Sequence, residues 1–335
     1  MNLWPQLAVT GLFGFVVLLT AVYCVRILLL TTWKKLTGND RLTRPWLDRL
    51  PVRVTILALG AVGTLCFLYA LCIEPYQLGV THEIAESPAV VSTGGIRIVH
   101  LSDLHIDADG QPVAGAGMAL WSAPGVPGGS EVGLADLVNA QKPDLVVMTG
   151  DYLNSGSAEG EETLRQLLRS IRPPFGVFAV MGNWDYRVWS RAPAILRQEG
   201  VHVLSADSAE ITVRGTRVML SGEAGFSEIA EAGRPGAPAL RVFLSHTPDS
   251  IEDIAGRVDL YFCGHTHGGQ VRLPGFGAIV TLSRFWKRYE MGRYEVRGTT
   301  LFVNRGIGCE GGPVPRVRFL SPPDVLVVDV INSAP

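Results

Sequence analysis

Two histidines, His265 and His267, stand one residue apart at the end of an apolar run at 258–263, in the sequence Gly-His-Thr-His. Because residues i and i+2 of an extended chain point to the same side, both imidazoles can face one point. Gly264 lets the backbone turn tightly between the run and the histidines. Imidazoles that converge are typical metal ligands, and a pair of structural histidines is the alternative for the tetrapeptide alone.

The same pattern recurs along the chain, because five short apolar runs are each followed by residues of the types that bind metals. In chain order these residues are Asp103 and His105, then Asp151, Asn183, His246, and finally His265 with His267. The carboxyl ends of strands in an α/β sheet meet at one edge, where binding sites lie. We therefore expect these side chains to converge on one site. Mixed imidazole and carboxylate ligands suit manganese, iron or zinc better than calcium or magnesium.

The elements that must position these residues can be predicted from the apolar pattern. Buried strands are predicted at 96–101, 145–149, 177–181, 242–245 and 260–263. Helical patterns lie at 134–141, 161–171 and 193–198. Continuous apolar strands alternating with helices are typical of a layered α/β domain. A second sheet, packed on the first, is expected to hold the short strands at 211–213, 218–221, 270–273 and 300–304.

The series Asp-x-His, Gly-Asp, Gly-Asn, His and Gly-His-x-His resembles the calcineurin-like metallophosphoesterase superfamily over nearly all of residues 96–330. Phrases similar to its membrane-associated bacterial branch are IRIVHLSDLH at 96–105, GHTHGGQ at 264–270, VNRGIG at 303–308 and RFLSPP at 318–323. The resemblance implies a four-layer α/β/β/α sandwich over 96–335. It also implies two divalent metals, most simply Mn²⁺ with iron or zinc as alternatives, and hydrolysis of a phosphoester or pyrophosphate bond by a metal-activated hydroxide.

The resemblance also implies a role for each site residue. One metal would be held by Asp103, His105, Asp151 and His267, and the other by Asp151, Asn183, His246 and His265. Asp151 would bridge the two metals, and Asp151, Asn183 and His246 would position the hydroxide and the phosphate. A neutral amide at Asn183 keeps the site positively charged for an incoming phosphate. Arg305 could contact the phosphate through its planar guanidinium, and a structural role beside the site is the alternative.

Trp184 departs from the family pattern, which usually has a histidine after Gly-Asn as the proton donor to the leaving group. An indole does not donate its proton in the pH range of catalysis. Three interpretations stay open. The substrate has a good leaving group, as in the UDP-2,3-diacylglucosamine pyrophosphatases of lipid A synthesis; another group or a metal-bound water supplies the proton; or the domain is a metal-binding scaffold with little turnover.

Two apolar runs near the N-terminus, at 7–30 and 54–73, are long enough for helices that cross a bilayer. Residues 1–6 carry no positive charge, which disfavours a signal peptide and predicts a retained transmembrane hairpin over 1–75. The loop between the runs is rich in cations, with Lys34, Lys35, Arg41, Arg44, Arg49 and Arg53 against Asp40 and Asp48. The positive-inside rule places that loop in the cytoplasm. After a linker at 76–95, which could hold one strand at 80–85, the domain is then expected on the outer side of the cytoplasmic (inner) membrane.

The composition of this 335-residue chain limits the kinds of partner that it is expected to bind. A formal net charge of -2 gives no electrostatic case for a nucleic-acid partner. The bilayer and a phosphorylated small molecule or lipid are the expected partners. Cations and aromatic residues mix at 284–289, which suits a lipid headgroup region, with a plain surface loop as the alternative. The glycine-rich stretch at 107–130 is a candidate lid or acyl-chain contact, or an insertion with no role.

Overall fold

The computed structural model describes residues 4–38, 49–91, 94–107, 131–187, 189–204, 208–227, 239–310 and 316–333. These residues form two compact units, with the boundary between Ile73 and Glu74. The candidate lid lies outside the described residues beyond Asp107.

The first unit consists of two helices, α1 (Trp4–Thr37) and α2 (Leu50–Cys72), both longer than predicted. The helices approach closely at Gly60, where a Cβ atom would lie 1.9 Å from Cγ2 of Thr20. Among the described residues, the segment Leu50–Tyr76, with a mean hydropathy of 2.4, is the one that is long and apolar enough to cross a membrane. Length and composition thus support one membrane-spanning segment. For the residues that the structure describes, they do not support a second one, which the predicted transmembrane hairpin requires.

The second unit is built from strands and short helices. Its described strands are β1 (Gly79–Glu86), β2 (Ile96–Leu101), β3 (Leu145–Met148), β4 (Val177–Ala179), β5 (His202–Val203), β6 (Ser208–Val213), β7 (Thr216–Ser221), β8 (Leu240–Leu244), β9 (Leu260–Cys263), β10 (Arg272–Leu273), β11 (Gly277–Ala278), β12 (Gly292–Val296), β13 (Thr299–Val303) and β14 (Asp324–Ile331). Its helices are α3 (Glu131–Ala140), α4 (Ala158–Ser170), α5 (Ala192–Gln198) and the short α6 (Ile251–Ile254). The three predicted helices are thus confirmed.

Two six-stranded sheets carry the fold. The first has the order β1-β14-β2-β3-β4-β5, in which β2 to β5 run parallel and β14 runs antiparallel to β2. The second has the order β12-β13-β9-β8-β7-β6, with parallel pairing from β13 to β7 and antiparallel edges. The prediction of an α/β fold is confirmed.

The five strands that precede the predicted ligands do not share a sheet, contrary to expectation. β2, β3 and β4 belong to the first sheet, whereas β8 and β9 belong to the second. Apolar pattern alone could not separate them, because strands of both sheets are buried on two faces. The segment at 270–273 also lies outside both sheets, since β10 pairs only with β11 among the described strands.

β1 lies within the segment interpreted from the sequence as a linker that could hold one strand at 80–85, and the structure confirms a strand there. All eight residues of β1 pair in parallel with β14, from Gly79 opposite Asp324 to Glu86 opposite Ile331. The strand is at the edge of the first sheet and is mostly exposed or half-buried. Its polar composition, which suggested a linker, is therefore that of an edge strand.

Three apolar cores separate the layers. Helices α3, α4 and α5 pack on the outer face of the first sheet through residues such as Leu134, Leu164 and Ile195. The inner faces of the two sheets meet through a second core that includes Phe178 and Phe262. A third core lies on the outer face of the second sheet, where the packing residues include Phe243, Tyr261, Ile251 of α6 and Tyr289.

A buried arginine fastens the loops that follow β13. The guanidinium of Arg318, whose side chain is fully buried, donates hydrogen bonds to the carbonyl oxygens of Arg305 (3.0 Å), Gly306 (3.1 Å), Gly308 and Ser321 (2.8 Å). One planar group thereby satisfies carbonyls that no strand pairs. The loops at 304–308 and 316–323 depend on it.

We predict that Arg318→Met lowers the free energy of unfolding by about 3 kcal/mol, because it leaves several buried carbonyls without a donor. Arg217→Met is the matched control, since Arg217 pairs with Glu210 on the surface of β6 and β7 and its loss should have little effect. Thermal unfolding of the detergent-purified chain, followed by tryptophan fluorescence, measures both. Equal melting temperatures for the two variants would contradict this role of Arg318.

Candidate metal centre

Three of the predicted ligands form a first donor group at the carboxyl ends of β2 and β9. Nε2 of His105 lies 3.2 Å from Nε2 of His267, and Oδ1 of Asp103 lies 3.4 Å from the same His267 nitrogen. All three side chains are buried. One point is thus surrounded by two ring nitrogens and a carboxylate oxygen.

A second donor group forms beside the first from the ends of β3, β4, β8 and β9. Nε2 of His246 lies 3.2 Å from Oδ2 of Asp151, 3.0 Å from Nδ1 of His265 and 3.1 Å from Oδ1 of Asn183. The structure therefore brings all seven predicted ligand residues together in two adjoining groups.

Asp151 lies between the two groups. Its Oδ2 atom is 3.7 Å from Nε2 of His105 in the first group and 3.2 Å from Nε2 of His246 in the second. Its other oxygen, Oδ1, accepts a hydrogen bond of 2.8 Å from the backbone amide of Trp184. The carboxylate is thus oriented by the backbone, whichever side chain stands at position 184.

Asp185 holds the loops after β3 and β4 together. Its buried carboxylate accepts hydrogen bonds from the backbone amides of Asp151 (2.8 Å), Tyr152 (3.1 Å) and Gly182 (2.8 Å). Burial raises the pKa of Asp185 to about 7, and the charge of Asp151 adds to that shift. Asp185, two residues after Asn183, therefore positions the backbone that carries Asp151.

Close backbone approach requires glycine at two positions in the site. A Cβ atom on Gly182 would lie 2.1 Å from Oδ1 of Asp151, and one on Gly264 would lie 2.1 Å from Oδ2 of Asp103. Five candidate ligands also have φ in the left-handed region, namely Asp103 (50°), His105 (45°), Asp151 (57°), His265 (68°) and His267 (50°). Such strain in residues other than glycine clusters at functional sites, where the surroundings hold it in place.

Hydrogen bonds set the tautomers of two candidate ligands. Nδ1 of His105 lies 2.7 Å from Oδ1 of Asn154, and Nδ1 of His246 lies 2.7 Å from the carbonyl oxygen of Thr149. Since a carbonyl oxygen can only accept, Nδ1 of each ring carries a proton, and in the neutral ring, the form that binds a metal, Nε2 presents a lone pair to the site. Partners that orient a ring in this way are typical of metal-binding histidines. The sequence analysis missed Asn154, three residues after Asp151.

The charges within the site call for a cation. Burial lowers the pKa of His246, but the charge and hydrogen bond of Asp151, the charge of Asp103 and the hydrogen bond to Thr149 together outweigh burial and raise that pKa to about 10. Burial raises the pKa of Asp103, but His267 and its neighbours hold it well below its usual range. Without a metal, the buried carboxylates therefore depend on a protonated imidazole. The converging lone pairs of nitrogen and oxygen fit divalent cations, which would take over that positive charge.

The indole of Trp184 covers one side of the first group. Its ring makes an edge contact with His105 at 5.8 Å between centroids, and Arg187 lies over its face at 4.7 Å. Its Nε1–H donates a hydrogen bond of 3.3 Å to Oε1 of Glu310, which is buried. Glu310 also acts electrostatically on the rings of His105 and His265. No motif in the sequence pointed to Glu310, which comes after the Asn-Arg-Gly-Ile-Gly phrase.

Arg305, considered from the sequence as a phosphate contact, has partners outside the donor groups. Its Nη2 atom lies 3.1 Å from Oδ1 of Asp324 and 3.1 Å from the hydroxyl of Thr81. These contacts join the loop after β13 to β1 and β14 and favour the structural alternative.

Comparison with known proteins agrees with this geometry. The family model for calcineurin-like phosphoesterase matches residues 96–269. The uncharacterized metallophosphoesterase YkuE of Bacillus subtilis is 28% identical over 278 residues, which cover 77% of this chain and 87% of the relative. UDP-2,3-diacylglucosamine pyrophosphatase LpxG of Chlamydia muridarum is 24% identical over 345 residues, covering 82% and 96%. Phosphodiesterase YaeI of Escherichia coli is 28% identical over 203 residues, covering 57% and 72%.

The family model covers just over half of the chain and ends at the Gly-His-Thr-His segment and the two glycines after it. The resemblance to the superfamily is confirmed, and two candidate metal-binding groups lie where it implied them. This chain belongs to the calcineurin-like phosphoesterase family and is a metal-dependent phosphoester hydrolase.

Proposed function

We propose that this chain is a membrane-anchored, two-metal phosphohydrolase that cleaves a phosphoester or pyrophosphate bond of a lipid or lipid-linked substrate. The position of Asp151 carries the proposal, because one carboxylate oxygen lies within 4 Å of a ring nitrogen in each donor group. A shared carboxylate of this kind is what a pair of adjacent metals requires. The candidate span at Leu50–Tyr76 supports the membrane anchor.

The donor groups support the ligand assignment implied by the family resemblance. Asp103, His105, Asp151 and His267 would hold one metal, and Asp151, Asn183, His246 and His265 the other. Mn²⁺ suits this mixture of imidazole and oxygen donors, with iron or zinc as alternatives. When bound, such metals acidify water and offset the negative charge of a phosphate.

The chain's own groups perform the remaining tasks. Oδ1 of Asp151 is held by the amide of Trp184, so that Oδ2 stays between the donor groups. The neutral amide of Asn183 adds a ligand oxygen without adding negative charge. The buried ring of His105 and the indole of Trp184 limit water on one side of the site.

The proton for the leaving group is assigned here to Glu310. Trp184 cannot supply it, but the indole N–H holds the Glu310 carboxyl group 3.3 Å away. A carboxyl group of this kind can transfer a proton to a leaving oxygen within hydrogen-bond reach. Tryptophan at position 184 would then orient the proton donor that histidine usually provides.

A second candidate function is cleavage of UDP-2,3-diacylglucosamine at its pyrophosphate bond. The similarity to LpxG, which spans most of both chains, favours it, and a pyrophosphate has a leaving group that needs little protonation. The cation-rich loop at 34–53 opposes it, because it predicts that the catalytic domain faces away from the cytoplasm, where that substrate is made.

The first test is hydrolysis by the detergent-purified, manganese-loaded chain of bis-p-nitrophenyl phosphate, phosphatidic acid, phosphatidylglycerophosphate and UDP-2,3-diacylglucosamine. Asp151→Asn should lower kcat/KM on every cleaved substrate by about 100-fold or more, because both donor groups lose a shared charge. Asp136→Asn, on the exposed face of α3, is the matched control and should keep full activity. Two bound metals with no turnover on any substrate would favour the scaffold alternative.

Leaving-group dependence tests the role of Glu310. Glu310→Gln should slow cleavage of an alkyl phosphodiester about 100-fold, because the leaving alkoxide needs a proton, and should hardly affect p-nitrophenyl esters. Trp184→His should restore much of the loss when it is combined with Glu310→Gln. Equal slowing of both substrate types by Glu310→Gln would exclude proton donation by this residue.

Reporter fusions test the orientation of the chain. Alkaline phosphatase fused after Pro335 should be active in whole cells, whereas a green fluorescent protein at the same position, exported through the general secretory route, should be dark. The reason is the cation-rich loop at 34–53, which the positive-inside rule keeps in the cytoplasm. The opposite pattern would place the domain in the cytoplasm and favour the diacylglucosamine substrate.

A further inference from the structure

An exposed apolar patch lies at the tips of neighbouring loops of the second unit. We call it the aromatic lip, and its residues are Leu273 (46% exposed), Phe276 (51%), Trp286 (54%) and Leu320 (43%). About half of each large apolar side chain faces solvent. Such a cluster costs solubility unless it serves as a contact surface.

Hydrogen bonds join the parts of the lip into one surface. The amide of Arg272 donates to the carbonyl oxygen of Phe319 (2.9 Å). The amide of Phe319 in turn donates to the carbonyl oxygen of Gln270 (2.8 Å). Leu273 and Leu320 follow directly on these paired segments. Lys287 connects Phe276 and Trp286, since its ammonium lies 3.4 Å from the centre of one ring and 5.9 Å from the other.

The charges beside the lip leave it positive. Arg284 pairs with Asp253 at 2.9 Å, and Arg288 pairs with Glu252 at 2.8 Å. Lys287 instead contacts the two aromatic rings and donates to the carbonyl oxygen of Phe276. Within the described part of the chain, no carboxylate lies within ion-pair distance of its ammonium. A cation among exposed aromatic and leucine side chains is typical of surfaces that rest in the headgroup region of a membrane.

The lip borders the point at which the chain enters the second unit. Glu74, two residues after the end of α2, is buried and accepts hydrogen bonds from the amides of Leu320 (2.8 Å) and Ser321. The segment that follows α2 is thereby fastened beside Leu320 of the lip.

The lip also borders the metal centre. The hydroxyl of Ser321 donates to the carbonyl oxygen of His267 (2.7 Å), and β10 begins five residues after that histidine. A surface that binds the lip would therefore present its phosphate groups close to the donor groups.

We propose that the aromatic lip rests on the surface of a bilayer that contains anionic lipid. The apolar side chains enter the headgroup region, and Lys287 faces lipid phosphates. The location rests on the membrane anchor of the proposed function, whereas the contact itself does not depend on the substrate. A protein partner fits less well, because the lip adjoins the buried Glu74, which follows the end of α2 by two residues.

Photocrosslinking of the full chain tests the contact directly. Benzoylphenylalanine is introduced at one position at a time, and the chain is reconstituted into vesicles of phosphatidylcholine and phosphatidylglycerol in equal parts. The lip positions are Phe276 and Trp286. Leu59 of α2 is the control for the membrane span, and Glu210, exposed on β6, is the control for a surface outside the lip.

Lipid adducts at the two lip positions should exceed those at position 210 by about tenfold, because interfacial side chains stay in contact with acyl chains. Adducts at position 59 together with background yields at both lip positions would overturn the lip and leave the anchor intact. Protein adducts in place of lipid adducts at the lip would overturn it in favour of a protein partner.

Kinetics provide a second, independent readout. The double variant Phe276→Ser, Trp286→Ser should lower kcat/KM on a cleaved lipid substrate in vesicles by about tenfold, since the anchored domain then contacts the bilayer surface less often. Its hydrolysis of soluble bis-p-nitrophenyl phosphate should stay unchanged. If the double variant cleaves the vesicle substrate at an unchanged rate, the proposed membrane contact of the lip is wrong. If the unsubstituted chain does not hydrolyse the soluble ester, the proposed function is wrong instead.

Discussion

The site depends on one carboxylate that has to serve two groups of donors. Asp151 can do so only if the loops after β3 and β4 approach within atomic contact, and two features allow this. Gly182 leaves room beside Oδ1, and the carboxylate of Asp185 ties the amides of both loops together. The left-handed backbone of Asp151 is strained, and the strain is held by these neighbours. In the proposed function, binding of two metals and hydrolysis of a phosphate both depend on this shared position.

At position 184 the family usually has a histidine that donates a proton. In the proposed function, Trp184 instead orients another proton donor, Glu310. Tryptophan at position 184 keeps the backbone hydrogen bond to Asp151, which any residue type could provide. Its side chain contributes what histidine does not, namely a large cover for His105 and an N–H directed at Glu310. The backbone of Trp184 orients Asp151. In the proposed function, its side chain orients Glu310 as the proton donor. The family's two-metal framework can thus persist with a different set of groups around the leaving oxygen.

The loops at 304–308 and 316–323 connect three parts of the second unit that are far apart in the sequence: the metal motif at His267, the chain entry at Glu74 and the aromatic lip. Arg318 binds the carbonyls of the first loop, Ser321 binds His267, and Glu74 binds the amides beside Leu320. Metal motif, chain entry and aromatic lip therefore share one hydrogen-bonded region. A buried guanidinium suits this place because a single rigid group donates several hydrogen bonds at once. Movement of the lip would be felt at His267 through these bonds.

The sequence by itself determined the α/β class, the three helices of the first layer and the seven residues that converge. Short-range pattern suffices there, because buried strands are apolar and each ends in a residue able to bind a metal. Only the tertiary structure decided that these strands belong to two sheets, and that the strand expected at 80–85 pairs with β14 at the edge of the first sheet. It also revealed the contact of Glu310 with Trp184 and the contact of Arg305 with Thr81, since the local sequence predicts neither of them. Both arise where residues more than a hundred positions apart meet, and that distance is set by packing of the whole domain rather than by any one segment.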